Sequence, residues 1–323
     1  MNTKISKIQI GSSLTSYILV IVIVAIGAYT YLDFKADTQA KEAMVTLVEN
    51  AKTQGVDISY DAIDSSPLAQ SITLQNFKID GNNQEPDIVF GNLIISGLDW
   101  QSLQGEGGQN HVPLAMEVNI TDGKILLNKE MIGNDADLQS FVNVMGNELS
   151  FAISAAYKVD KSTGQLMASF NQSVDDNFMI NSQLELGNTA WLAYVDTNES
   201  LDDLVPDLLA TTLKGLSITF NNQGIIEKIR AISSKQSGLS NEQLTQQTVQ
   251  QLRQIQTALK DYSPVYSLMI EELIKFSQQP NQLLISIDPE QPLTSDDFLK
   301  VVMGGQSAPF DLMKKAQLFI RAN

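Results

Sequence analysis

The 323-residue chain has no cysteine and a single histidine. Without thiols it can form no disulfide, thiolate metal site, iron–sulfur cluster or cysteine nucleophile. A Ser-His-acid triad would have to use His111, and no G-x-S-x-G or S-x-x-K sequence supports a serine nucleophile. Positive charge is scarce too: 21 Lys and Arg face 37 Asp and Glu, a formal net charge of −16. Such a chain is repelled by a phosphate backbone and gains no counterion release from one, so nucleic acid is excluded as a partner. The glycines of "QGEGGQN" fit neither G-x-x-x-x-G-K-[ST] nor G-x-G-x-x-G, which removes the common phosphate cradles.

The acids do not assemble into a recognisable site. "DTNESLDD" spaces Asp196, Asn198, Ser200 and Asp202 like a calcium loop, but Leu201 replaces the turn glycine and Asp207 the bidentate glutamate. The pairs Glu271-Glu272, Asp175-Asp176 and Asp202-Asp203 are the candidates for glycosidase carboxylates, whose separation a sequence does not give. The expectation is a non-enzymatic protein with no catalytic residue, metal or cofactor.

What is present begins with a charge-free run, Ile8 to Leu32, between Lys7 and Asp33. As a helix it would reach about 37 Å, enough for a hydrocarbon core of roughly 30 Å. This predicts a transmembrane helix over 8–32, with Tyr17, Tyr29 and Tyr31 as membrane-interface anchors. Ala25-Ile26-Gly27 before Ala28 leaves a cleaved signal open as the alternative. Lys4 and Lys7 precede the run with no acid, so residues 1–7 are placed in the cytoplasm. The expected location is a bacterial inner membrane, single-pass, with the bulk of the chain periplasmic and the lipid bilayer as a partner.

Beyond it, Ala36, Ala40, Ala43, Met44, Leu47, Val48 and Ala51 predict an amphipathic juxtamembrane helix over 33–55. Residues 56–238 read as β-rich, with alternation in "VDISYDAI", "SITLQNFKID" and "DIVFGNLIISGLDW". A change of phase at Gln75-Asn76 predicts a bulge or twist there, Gly91-Asn92 a break between two strands, and Asp122-Gly123 a hairpin turn. Over 239–280 the pattern changes to a helical hairpin, opened by Ser240 with Gln243 and restarted at Pro264. Leu252, Ile255, Leu259 and Tyr262 mark one face of its first helix, a possible partner face. Residues 281–323 return to strand and short helices that complete the β domain, with Thr294 and Asp297 as a capping pair.

These elements predict an α+β chain: an N-terminal transmembrane helix, then a twisted, mainly antiparallel β-sheet domain with a helical-hairpin insertion. The anchor together with "YDAIDSSPLAQSITLQNFKID" and "PDIVFGNLIISGLDW" resembles bacterial inner-membrane-anchored periplasmic proteins of the AsmA-like and YdgA-like kind, over Ser6 to Leu127. The resemblance implies envelope lipid handling. Two functions follow as expectations. One is the binding of lipid or another hydrophobic ligand in a groove of the sheet. The other is a scaffold that holds an envelope protein through its helical hairpin.

Overall fold

The computed structural model describes residues 45, 48–49, 57–66, 70–80, 86–97, 113–127, 132–133, 136–195, 201–259, 264–304 and 308–323. Among them a single antiparallel sheet of 11 strands dominates. Its strands are β1 (Asp57–Ser59), β2 (Ala62–Ser66), β3 (Ser71–Asp80), β4 (Asp87–Ser96), β5 (Ala115–Leu126) and β6 (Glu148–Asp160). They continue as β7 (Gln165–Val174), β8 (Phe178–Gly187), β9 (Thr212–Asn222), β10 (Gln282–Ile287) and β11 (Phe319–Ala322). Each strand from β3 onward pairs with the next, while β1 and β2 lie end to end along β3. The helices are α1 (Ala136–Met145), α2 (Leu201–Ala210), α3 (Ile225–Ser237), α4 (Asn241–Leu259), α5 (Pro264–Gln278), α6 (Ser295–Met303) and α7 (Ala308–Lys315).

Period-two alternation sorts the side chains into two faces. One row on the apolar face starts at Ile63 and runs through Leu74, Leu93, Ile120 and Ile153 to Ile180, Phe220 and Leu283, polar only at Gln172. From β2 to β6 this face is a buried cluster. Over β9, α5 covers it: the Phe276 and Phe220 rings meet edge to face at 6.0 Å. The opposite face carries serine, asparagine, threonine and glutamine.

Across β3, β4 and β5 the alternation slips in step; a separate bulge lies in β9, where Lys214 is the extra residue opposite Glu185 and Leu186 of β8. Gln75-Asn76, Gly91-Asn92 and Thr121-Asp122 each put two consecutive residues outside the buried face. Gln75 pairs with Asn92 and Asn92 with Thr121, so the slip is one line across the sheet. Register is kept between β3 and β4, and the extra residue is absorbed by a bulge in β5 opposite β6. Asn76 and Asp122 take positive φ, of 50° and 55°, which short polar side chains tolerate. This corrects two expectations. Asp122-Gly123 is a bulge inside one continuous strand rather than a hairpin turn, and Gly91-Asn92 does not divide β4.

The expected fold class and location also need correction. Among the described residues no helix is long and apolar enough to cross a membrane. The longest, α4, has 19 residues and is rich in glutamine, against the ~20 apolar residues a span requires. The segments 1–7 and 8–32, with Tyr17, Tyr29 and Tyr31, lie outside the described residues, as does most of 33–55. The class that stands is a large antiparallel sheet with helices, and a single-pass inner-membrane placement has no support in it. The helical segment between β9 and β10 holds three helices, not two, because α3 occupies residues assigned to the β-rich region. Arg230 of α3 donates to the Ser277 carbonyl of α5, which fastens the added helix to the hairpin.

Candidate functional site

Small side chains leave a trough on the polar face. Ala156, Ser169, Gln183, Ser217 and Ser286 form one row across β6 to β10. Lys158, Met167, Glu185 and Gly215 form the next, with Asp288 just past β10. Above them lies a wide-mouthed cavity of about 560 Å³, floored by the main chain of the row between, which includes Tyr157, Leu184 and Leu216. The Tyr157 side chain belongs to the other face, where its hydroxyl donates to the Pro113 carbonyl at 2.8 Å and burial pushes its phenol up to about 12. The trough therefore offers hydroxyls, an amide, the charged groups of Lys158, Glu185 and Asp288, and the apolar side chains of Ala156 and Met167; Glu185 pairs with Lys214 at 3.9 Å.

The second surface is helical. In α2, Val205, Leu208 and Leu209 are exposed, and in α6 so are Phe298, Leu299, Val302 and Met303, the last two at 83% and 78%. The helices adjoin: Ser295 Oγ at the start of α6 donates to the Leu209 carbonyl at the end of α2, 2.8 Å away. Asn188 Nδ2 caps the Ala210 carbonyl at 3.1 Å and Trp191 Nε1 reaches Thr211 Oγ1 at 3.2 Å, fixing the end of α2. The charge around these side chains is mixed, with acid in excess: Asp202, Asp203 and Asp207 on α2 and Asp296 on α6, against the exposed Lys300 on α6. Large apolar side chains exposed together on adjoining helices are a feature of interaction surfaces.

The α6 end of this surface is held by an ionic node. Asp297 is buried at N3, where it closes a capping box with Thr294. Its Oδ2 accepts from Lys315 Nζ at 2.6 Å, from the Thr294 amide at 2.9 Å and from Thr294 Oγ1 at 3.0 Å. The Lys315 hydrogen bond first, then those from Thr294, hold its carboxyl down to about 2.

The residues singled out in the sequence do not converge. On α4, Leu252 and Leu259 are half-buried and Ile255 is exposed; Tyr262 and His111 lie outside the described residues. The hairpin's packing explains this, since α4 is tied to α5 by Gln256 Nε2, which donates to the Ser267 carbonyl at 3.0 Å and to Glu271 Oε2 at 3.3 Å. Glu272 is engaged elsewhere, accepting from Lys275 at 2.6 Å and from the Ala322 amide at 2.8 Å. Asp175-Asp176 sit in the β7–β8 turn and Asp202-Asp203 in the first turn of α2. Among the described residues no group of three or more His, Cys, Asp or Glu is placed to hold a metal ion.

Sequence reasoning missed the α2–α6 surface. A signal was there: "FLKVVM" places apolar residues around more than one side of a helix, more than a single packing face can cover. No curated protein matches the chain. A family model described as "Uncharacterized protein" matches residues 150–323, more than half of the chain and all of β7 to β11 with α2 to α7, and the chain belongs to that family.

Proposed function

We propose that this chain is a non-catalytic scaffold that binds a protein partner on the joined surface of α2 and α6. The observation that carries this reading is the exposure of large apolar side chains on both helices, Leu208 and Leu209 on α2 and Phe298, Leu299, Val302 and Met303 on α6, which meet where Ser295 bonds the Leu209 carbonyl. Burying such side chains is worth about 1.5–3 kcal/mol each, energy that only a partner can release. The excess of acid around it, four aspartates against Lys300, favours an apolar strip flanked mainly by lysine or arginine. Interfaces of this build have an apolar centre and a charged edge.

The hydrophobic-ligand alternative has less behind it. The apolar side of the sheet is packed shut from β2 to β6, and the wide-mouthed cavity lies over the polar rows. The likeness to AsmA-like proteins spans residues 6–127 and the family match 150–323, so the two do not overlap.

The test is site-specific photo-cross-linking from position 302 in the full chain, with Met167, exposed on the sheet, as the control position. The expected adduct is one peptide with apolar residues between basic ones, weakened by salt and lost in Leu208→Asp while the melting temperature holds. Equal labelling from position 167, or labelling indifferent to Leu208→Asp, overturns the proposal.

A further inference from the structure

Half a turn about β8 exchanges β7 with β9 and β6 with β10, and the polar face is matched to that exchange. β8 is the middle strand of the five that carry the trough. On one side of it Met167 of β7 projects, 64% exposed; on the other, in the same row, Gly215 of β9 leaves a hollow. A Cβ on Gly215 would meet only the Ile287 carbonyl and Glu185 Cβ, at 3.8 and 3.9 Å. The row ends in opposite charges, Lys158 on β6 and Asp288 just past β10. Neither makes an ion pair among the described residues. The two lie four strand spacings apart, about 19 Å, which is more than one small ligand bridges.

We propose that this face receives a second copy of this chain, turned about a two-fold axis that runs along β8 between the two sheets. Rotation about a strand keeps every row at its own level and keeps the hand of the twist, so the two twisted faces lie parallel. Met167 of each copy enters the hollow over Gly215 of the other, an irregular gap that a flexible thioether fills well. Lys158 stands opposite Asp288 of the second copy, and this pair occurs twice.

The neighbouring row obeys the same symmetry. Ser169 lies opposite Ser217 of the second copy, and the two Gln183 amides meet at the axis, where each can donate to the other. Glu185 also meets its own copy there, and Lys214, 3.9 Å from it in each chain, offsets the repulsion. Because one patch serves both copies, the contact is isologous and closes at two. The matched face measures about 24 Å across the strands and about 25 Å along them, a footprint of roughly 600 Å² per copy. That is short of the ~800 Å² of a standard interface and fits association in the micromolar range.

Sedimentation equilibrium of the full chain from about 1 to about 200 µM, in about 0.15 M salt to screen the repulsion between two acidic chains, tests this. The expected result is a monomer–dimer equilibrium whose mass levels off at two copies. Lys158→Asp and Asp288→Lys, made separately, each weaken it at least about threefold, since each sets like charges opposite one another twice per dimer. Their equimolar mixture restores it, and so does the double variant. Photo-cross-linking from position 167 of the parent gives a reading independent of how the variants fold. It joins two copies through β9 near Gly215, a product distinct from the basic peptide expected at position 302. A chain that stays monomeric throughout overturns the proposal, as does mass that grows past two copies. So does association indifferent to both reversals, a mixture no stronger than its components while both variants melt like the parent, or a cross-link from position 167 to any other strand.

Discussion

Lys315 Nζ lies 2.6 Å from Asp297 Oδ2, so the end of α7 is clamped onto the first turn of α6. The fold prefers the carboxylate: Asp297 titrates at about 2 in place of its ordinary 3.8. Between those values the unfolded chain binds more protons than the folded one, and stability falls as pH falls. The contribution, about 1–2 kcal/mol, is complete above about pH 4 and gone below about pH 2. Urea unfolding midpoints measured down through this range should drop for the parent and flatten for Asp297→Asn.

Gly123 and Phe151 make a second such pair. A Cβ on Gly123 would stand 2.6 Å from Phe151 Cε2, and the ring cannot retreat because it meets Phe90 edge to face at 5.9 Å. Phe90 in turn stacks on Phe77 at 5.8 Å. The glycine is the gap through which Phe151 leans across β5 to join that stack. Gly123→Ala should cost about 1–3 kcal/mol by overpacking, read as a lower denaturation midpoint. Gly238, whose added Cβ would meet nothing, is the contrasting site: its φ of 72° makes backbone strain the only penalty there.

The strands and the caps could be read from residues because both are local. Ser240 and Gln243 do exchange their hydrogen bonds, at 2.8 and 3.2 Å, and Thr294 and Asp297 form their box. The phase change at Gln75-Asn76 was visible for the same reason. Its cause was not, because the compensating bulge sits in β5, far along the chain. Asp122-Gly123 looks like a turn until one sees that β5 has partners on both sides. The α2–α6 surface was hidden for a different reason. Apolar periodicity tells which side chains would gain from burial, not whether this chain buries them.

Tyr157 should make the protein sensitive to alkali. Its folded-state value of about 12 lies above the ordinary 10, so the native state holds a proton that the unfolded state loses. Stability attributable to it is intact below about pH 10 and falls as pH rises toward about 12. Tyr157→Phe should remove this slope. At neutral pH it should cost about 0.5–1.5 kcal/mol for the lost hydrogen bond to the Pro113 carbonyl. Midpoints on the two sides of the window separate the effects.

The sharpest stability contrast lies between α6 and the residue just before its cap. Leu293 is only 1% exposed and exchanges backbone hydrogen bonds with Leu213 at 2.8 and 2.9 Å, pinning the approach to α6 against β9. Leu293→Ala should therefore cost about 2–5 kcal/mol. Val302, 83% exposed on the same helix, touches too little for its loss to matter. Val302→Asp should shift stability by no more than about 0.5 kcal/mol. Thermal and urea unfolding of the two variants side by side give the comparison. A destabilisation at Val302 comparable to that at Leu293 would mean the side chain is packed within the monomer, and the α2–α6 surface would no longer be available to a partner.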